Sequence, residues 1–135
     1  MEKCKNPIFF STICFIIVIT LIFFLFGSKD EKYYIERMVN FLQGYGIEAA
    51  NIPIERVLVT IPDKFDDVYE NYNVLQKKAG FDLEKYRGKN VWRYTFRVLN
   101  FDKDSNIRAN LLVYNNEIIG GDVMMFFGYA VFFVI

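Results

Sequence analysis

The feature that most constrains this chain is an uncharged apolar run near its start, IFFSTICFIIVITLIFFLF, from Ile8 to Phe26. A helix rises about 1.5 Å per residue, so roughly 20 apolar residues cross the hydrocarbon core of a bilayer. The rest of a 135-residue chain is too small to cover a buried helix that is apolar on every side. We therefore predict a transmembrane span over residues 8–27.

This span has the features of an uncleaved signal anchor rather than of a cleaved signal peptide. The apolar segment is long for a signal peptide, and Phe26-Gly27-Ser28 is a poor cleavage site. Lys3 and Lys5 precede the span, and cytoplasmic flanks carry an excess of such basic residues. We expect residues 1–7 to form a short cytoplasmic tail, and residues 28–123 to form a small domain at the cell membrane, outside the cytoplasm.

The composition excludes several classes of site. The formal net charge is zero, so no overall field would attract nucleic acid. There is no histidine, and the two cysteines, Cys4 and Cys14, precede the predicted domain. Asp102 and Asp104 lie in a polar loop, but this loop lacks the glycine and distal glutamate of an EF-hand. We predict no metal, no cofactor, no catalytic residue and no nucleic-acid partner.

Helical signals occur twice after the span. Ser28 and Glu31 have the spacing of a capping box, which predicts a helix from Lys29 to Gln43. A second helix, capped by Asp63 and ended by Gly80, would present an apolar stripe to a sheet. The stripe comprises Phe65, Val68, Tyr69, Tyr72, Leu75 and Ala79.

Alternating patterns predict the strands. One strand covers Arg56–Ile61, and three more cover Val91–Leu99, Ile107–Tyr114 and Glu117–Val123. In Val91–Leu99 we assign Trp92, Tyr94, Phe96 and Val98 to the core face, and in the next strand Ile107, Ala109, Leu111 and Val113 share one face. Asn115-Asn116 predicts a type I′ hairpin turn.

The expected fold is α+β: the N-terminal transmembrane helix, then two helices packed on one face of an antiparallel sheet of about four strands. This order of elements is similar to that of cystatin-like and PepSY-like domains. The apolar tail, residues 124–135, has three interpretations: a buried final strand, a membrane-interface segment, or an altered chain ending.

Three stretches resemble a known family. They are IPDKFDDVYENYNVLQKKAGFDLEKYRGK, RYTFRV and ANLLVYNNEIIGGDV. Together they resemble domain-of-unknown-function family 4830, over about Tyr34 to Val123. The resemblance implies a small membrane-anchored protein of clostridial-type bacteria, with its domain outside the cytoplasm, and it implies no activity. The chain departs from the family pattern after Val123.

Two features of the strands are candidates for binding. Arg93 and Arg97 share the outer face of one strand, and Arg108 on the neighbouring strand can join them as a patch for anions or acidic peptides. The alternative is an ordinary solvated face. Gly120-Gly121 predicts either a bulge beneath a packed aromatic side chain or a gap in which a ligand lies, with Asp122 nearby.

These features favour a non-enzymatic binding or interaction module whose partner is a peptide or an envelope protein. An exposed edge of a small sheet could also accept a peptide strand. One alternative is a cell-envelope hydrolase or lyase that uses Asp122 or Glu117 with a tyrosine, in a pocket around Gly120-Gly121. Another is a structural subunit of a larger membrane complex.

Overall fold

The structure is a computed structural model that describes residues 7–101, 106–126 and 130–134; side chains are described for residues 11–22, 31–101 and 106–125. The elements are α1 (Pro7–Gly44), β1 (Glu55–Thr60), α2 (Asp67–Lys78), a 3₁₀ helix (Leu83–Tyr86), β2 (Asn90–Arg97), β3 (Asn106–Tyr114), β4 (Glu117–Phe126) and β5 (Ala130–Val134). The α+β class is confirmed. Asp102 and Asp104 lie outside the described residues.

Helix α1 belongs to two compact units, one ending at Tyr34 and the other beginning at Ile35. In the first unit the described apolar side chains are exposed, with Phe15 at 69%. The Thr20 hydroxyl donates to the carbonyl oxygens of Ile16 and Ile17. Within the described residues, no helix combines the length and hydropathy needed to cross a membrane. The side chains of residues 8–10 and 23–26 of the predicted span are outside this description.

The predicted helix start at Ser28 is wrong, because Gly27 and Ser28 lie inside the continuous helix α1. A single glycine inside a helix costs only about 1 kcal/mol. The residues that follow, Lys29 to Lys32, continue the helix without a proline. The capping-box residues are therefore ordinary helix residues.

The sheet is antiparallel and has five strands in the order β1-β2-β3-β4-β5. We expected about four strands, and the difference arises in the apolar tail. Strand β4 continues to Phe126, and β5 pairs with it from Ala130 to Val134. The described residues of the tail are therefore strand residues of the sheet. Asn115 and Asn116 take positive φ values of 48° and 66°, which confirms the turn between β3 and β4.

The two helices pack on opposite faces of the sheet, so the prediction of a single covered face is wrong. On the first face, hereafter the α1 face, Met38 and Leu42 of α1 join the inward side chains of β2 and β3. These are Tyr94, Phe96, Ile107, Ala109 and Leu111, on the face that the alternation predicted. Trp92 was assigned to this core, but it is 38% exposed.

The second face, hereafter the α2 face, carries a separate core. Val91, Leu112 and Ile119 from the sheet pack there with Ile61 and Leu83. Tyr69 and Tyr72 of α2 are partly buried against this cluster. The α2 face was predicted to be an outer face. A second amphipathic helix packs on it and buries part of it.

Helix α2 differs from its prediction in its cap and in its buried side. Asp66, rather than Asp63, is the N-cap, and its carboxylate accepts the Tyr69 backbone N–H at 2.8 Å. The buried residues of the helix are Asn73 and Gln76, whereas Val68 is 77% exposed. The predicted apolar stripe is therefore only partly right: its two tyrosines face the sheet, and polar amides complete the buried side.

Asn73 connects α2 to the 3₁₀ helix. Its Oδ1 accepts the Leu83 backbone N–H at 2.8 Å, and its Nδ2 donates to Asp82 Oδ1 at 3.3 Å. Gly80, with φ of 89°, ends α2 as predicted. These bonds hold Leu83 against the sheet, beside Gly120.

Candidate functional site

A row of three buried polar side chains crosses the middle of the α2 face. Thr95 of β2, Asn110 of β3 and Asp122 of β4 lie directly opposite one another in the strand register. The Thr95 hydroxyl donates to Asn110 Oδ1 at 2.8 Å, and Asn110 Nδ2 donates to Asp122 Oδ1 at 2.7 Å. We call these three residues the polar row.

Helix α2 adds one more hydrogen bond to the polar row, through Tyr72. The Tyr72 hydroxyl donates to Asp122 Oδ2 at 2.7 Å, so each oxygen of this carboxylate accepts a hydrogen bond. Burial without such partners would cost several kcal/mol for a charged group. The pairing explains how an acidic residue that is only 7% exposed is accommodated in the sheet.

The electrostatics of this pair follow from burial. Burial raises the pKa of Asp122, while the hydrogen bonds from Asn110 and Tyr72 and the nearby charge of Arg93 act in the opposite direction and only partly offset it. Burial also raises the pKa of Tyr72 far above its usual value, and the neighbouring Asp122 carboxylate adds to the rise. Tyr72 is therefore a hydrogen-bond donor at neutral pH and has no phenolate form available as a base.

The two glycines next to Asp122 are explained by a close approach of helix α2. Gln76 Nε2 donates to the Gly121 carbonyl oxygen at 2.8 Å, and the Gly121 N–H donates to Gln76 Oε1 at 3.1 Å. A Cβ at Gly120 would lie 3.0 Å from Gln76 Oε1 and 3.2 Å from Leu83 Cδ2. The side chains of Gln76 and Leu83 would then have to move by a few tenths of an ångström.

The predicted bulge is present, but its cover is not aromatic. The register shifts between the Leu112 and Val113 pairs, so Ile119 has no residue directly opposite. Gln76 and Leu83 fill the space over Gly120, where an aromatic side chain or a ligand was expected. The hydrolase or lyase hypothesis places its pocket around Gly120-Gly121, and at Gly120 the nearest side chains are Gln76 and Leu83.

Three arginines flank the polar row on the same face. Arg97 of β2 lies directly opposite Arg108 of β3, and Arg93 is four residues before Arg97 on the same side of β2. We call Arg93, Arg97 and Arg108 the arginine face. The structure thus brings all four predicted site residues, these arginines and Asp122, onto one side of the sheet.

The arginines differ in their environments. Arg93 pairs with Glu55 of β1, with Nη2 at 3.0 Å from Oε2. Its Nε is buried and has no hydrogen-bond partner among the described residues. Arg97 is exposed, and within the described part of the chain its side chain makes no hydrogen bond or ion pair. Within the arginine face, Arg97 therefore offers guanidinium donors that an acceptor from outside can reach.

Other predicted features lie apart from this group. Glu117 is exposed at the Asn115-Asn116 turn, at the start of β4, whereas Asp122 of the polar row lies near the middle of this strand. Within residues 7–101, 106–126 and 130–134, no three histidine, cysteine or acidic side chains come together as a metal site. The sequence analysis missed Tyr72, Thr95, Asn110 and Gln76. The signal for Thr95 and Asn110 was their position, since both alternate with core residues on strands otherwise rich in apolar side chains.

Comparison with known proteins gives one match. A family model described as "Domain of unknown function (DUF4830)" matches residues 41–123, which include β1 through the polar row in β4. No curated protein and no solved structure matches the chain.

Proposed function

The chain belongs to the DUF4830 family, and from that premise we propose that it is a membrane-anchored binding module, with its domain outside the cytoplasm, that recognises acidic segments of a partner protein on the arginine face. The observation that carries the binding site is the register of β2 and β3, in which Arg97 and Arg108 are directly opposite. Side chains opposite each other on adjacent strands are about 5 Å apart at Cβ. Two guanidinium groups at this spacing suit a carboxylate, which accepts paired hydrogen bonds from arginine.

The Asp122 carboxylate does not compete for these arginines. Its two oxygens already accept hydrogen bonds from Asn110 and Tyr72, and the residue is buried. Arg93 is partly occupied by Glu55, but this ion pair is about half exposed on both sides. Such pairs contribute only about 0–1 kcal/mol, so an incoming carboxylate can replace Glu55 at little cost.

The geometry favours binding over catalysis at this face. The Tyr72 hydroxyl of α2 is hydrogen-bonded to the Asp122 carboxylate and covers it. The side chains of Gln76 and Leu83 fill the space beside Gly120. A substrate would have to displace these side chains to reach the carboxylate. The exposed Arg97 side chain can be reached without displacing these side chains.

The support for a membrane anchor is the uncharged run Ile8–Phe26. The support for a domain outside the cytoplasm is the pair Lys3 and Lys5 before the run. An anchored domain of this kind would hold its arginine face close to other proteins of the cell envelope.

We expect Arg97→Gln to weaken binding of an acidic peptide by about tenfold or more, since hydrogen bonds to charged groups contribute about 1.5–3 kcal/mol. The measurement is fluorescence anisotropy of a labelled hexaglutamate peptide with the full chain in a mild detergent. Lys78→Gln, which removes the same charge from an exposed position on α2, is the matched control. Equal losses in the two variants would mean that only overall charge matters and that the arginine face is not a site.

The orientation is tested with a cysteine at Val68, the most exposed large apolar residue of α2. We expect Val68→Cys to react with a membrane-impermeant maleimide in intact cells, whereas the natural protein, which has only Cys4 and Cys14, reacts after lysis. Labelling of the Val68→Cys variant only after lysis would place the domain in the cytoplasm and contradict the proposed location.

A further inference from the structure

The outer edge of β1 is a second surface that the proposed function does not use. In the described sheet β1 pairs with β2 on one side only, because the strand order begins with β1. An unpaired edge presents a row of backbone N–H and C=O groups to any extended segment. The sheet therefore has a pairing surface that is separate from the arginine face.

The register indicates which backbone groups point outward. The Ile61 N–H donates to the Lys89 carbonyl oxygen at 2.9 Å, so alternate residues of β1 from this point bond to β2. The intervening residues, Arg56, Leu58 and Thr60, then direct their backbone groups away from the sheet. The Thr60 hydroxyl bonds to the Asn90 side chain at 2.7 Å, as expected where facing side chains are close and the backbones are not bonded.

The side chains at this edge are apolar in the middle and charged at one end. Leu58 is 50% exposed and lies opposite Trp92, which is 38% exposed. The Arg56 guanidinium carbon lies 4.2 Å from the centre of the Trp92 ring. On the other side of the strand, Val57 and Val59 are only partly buried. The exposed Leu58 on the unpaired edge and the exposed Trp92 beside it on β2 form an apolar docking surface.

Prolines limit the length of this edge. Pro53 precedes β1 and Pro62 follows it, and proline has no N–H to donate to a neighbouring strand. A partner strand can therefore pair only along the six residues Glu55–Thr60. The available surface is short, and its centre is at Val57 and Leu58.

We propose that the outer edge of β1 pairs antiparallel with the same edge of a second copy of the chain, around a two-fold axis at Leu58. In this arrangement Leu58 lies opposite Leu58 of the partner subunit, and Arg56 lies opposite Thr60 of the partner subunit. Val57 lies opposite Val59 of the partner subunit. Each of the three outward residues meets another outward residue, so both backbones can form hydrogen bonds along the whole edge.

The edge suits a second copy because it is complementary to itself. No like charges face each other in this register, and the apolar residues of one strand meet those of the other. The net charge of the chain is zero, so two copies have no overall repulsion to overcome. The two joined sheets form one continuous sheet, with Met38 and Leu42 of both copies on the same side. The pairing uses up both free β1 edges and so ends at a dimer.

The first test measures self-association of the full chain in a mild detergent by sedimentation equilibrium. We expect a dimer. We expect Leu58→Lys to raise the dissociation constant of this dimer by more than about tenfold, since two lysines would then face each other across the axis. Leu75→Lys, at a leucine of α2 that is 40% exposed, is the matched control and should leave the dimer intact. A monomeric natural chain, or a dimer that Leu58→Lys does not weaken, would overturn the proposal.

A second test does not depend on the effect of a buried charge. Cα atoms of directly opposite, hydrogen-bonded residues are about 5.5 Å apart, within the range of about 4.4–6.8 Å that a disulfide spans. In a chain with Cys4 and Cys14 replaced by serine, Leu58→Cys should form a disulfide-linked dimer on mild oxidation, and Val68→Cys should not. Equal cross-linking of the two variants would contradict the pairing.

The two proposals can fail separately. Leu58→Lys should leave hexaglutamate binding unchanged, because Leu58 is on the opposite face from the arginine face. If the natural chain is monomeric but a synthetic peptide with the sequence of residues 54–61 binds it, the edge accepts another extended segment and the proposal of a second copy is wrong. The arginine-face proposal would be unaffected by that result.

Discussion

Replacing Gln76 with leucine is expected to lower the free energy of unfolding by about 2–6 kcal/mol. Leucine keeps an apolar side chain beside Leu83 and Gly120, but it leaves the N–H and the carbonyl oxygen of Gly121 without their partner. Both groups are buried, and each unsatisfied group of this kind costs about 1–3 kcal/mol. The measurement is urea unfolding of the full chain in a non-denaturing detergent, followed by the fluorescence of Trp92, the one tryptophan in the sequence.

Gln43→Leu is the matched control, since this substitution makes the same chemical change at an exposed position of α1. Exposed substitutions away from special features change stability by about 0.5 kcal/mol or less. If Gln76→Leu were no more destabilising than Gln43→Leu, the bonds between Gln76 and Gly121 would not hold α2 on the sheet.

The second large effect is expected at Asp122. Asp122→Ala removes the acceptor of both the Tyr72 hydroxyl and the Asn110 amide, and we expect a loss of about 2–6 kcal/mol by the same reasoning. Glu117→Ala, which removes an exposed carboxylate from the far end of β4, controls for the loss of one negative charge. The same unfolding measurement applies.

The stabilising effect of Asp122 should also depend on pH. Burial raises the pKa of Asp122 above its ordinary value of 3.8, so the folded chain keeps the proton to a higher pH than the unfolded chain does. The folded state binds more protons in this window, and its stability therefore falls as the pH rises through the folded pKa. The stability difference between the natural chain and Asp122→Ala should be largest at or below pH 3.8 and should decrease above it. A difference that grows with pH would mean that the hydrogen bonds and Arg93 outweigh burial.

Sequence patterns predicted the sheet well because alternation reports directly on which side of a strand is buried. Tyr94, Phe96 and Leu111 lie on the predicted core face, and the Asn115-Asn116 turn has the predicted positive φ angles. The same alternation put Arg93, Arg97 and Arg108 on one side of the sheet. That grouping required only strand assignments and the pairing of neighbouring strands.

The patterns failed where a polar side chain takes the place of an apolar one. Asn73 and Gln76 are the fully buried residues of α2, and their role depends on backbone groups of Leu83 and Gly121 that no periodicity marks. The prediction of an apolar stripe therefore included Val68, which is exposed. The placement of two helices on opposite faces was missed for a related reason, since the α2 face of the sheet has polar residues at its centre and resembles a solvated face.

The strand order has a consequence for how the domain folds. Strands β2 to β5 follow one another in the chain as they do in the sheet, so they can form through local hairpins, one of them closed by Asn115 and Asn116. Strand β1 reaches β2 only after the long segment that contains α2 and the 3₁₀ helix, and closing such a loop carries a larger entropic cost. Topologies with local pairing fold faster than those with distant pairing. Strand β1 is thus expected to join the sheet late during folding and to be the first to open, and this strand carries the edge at which a second copy would bind.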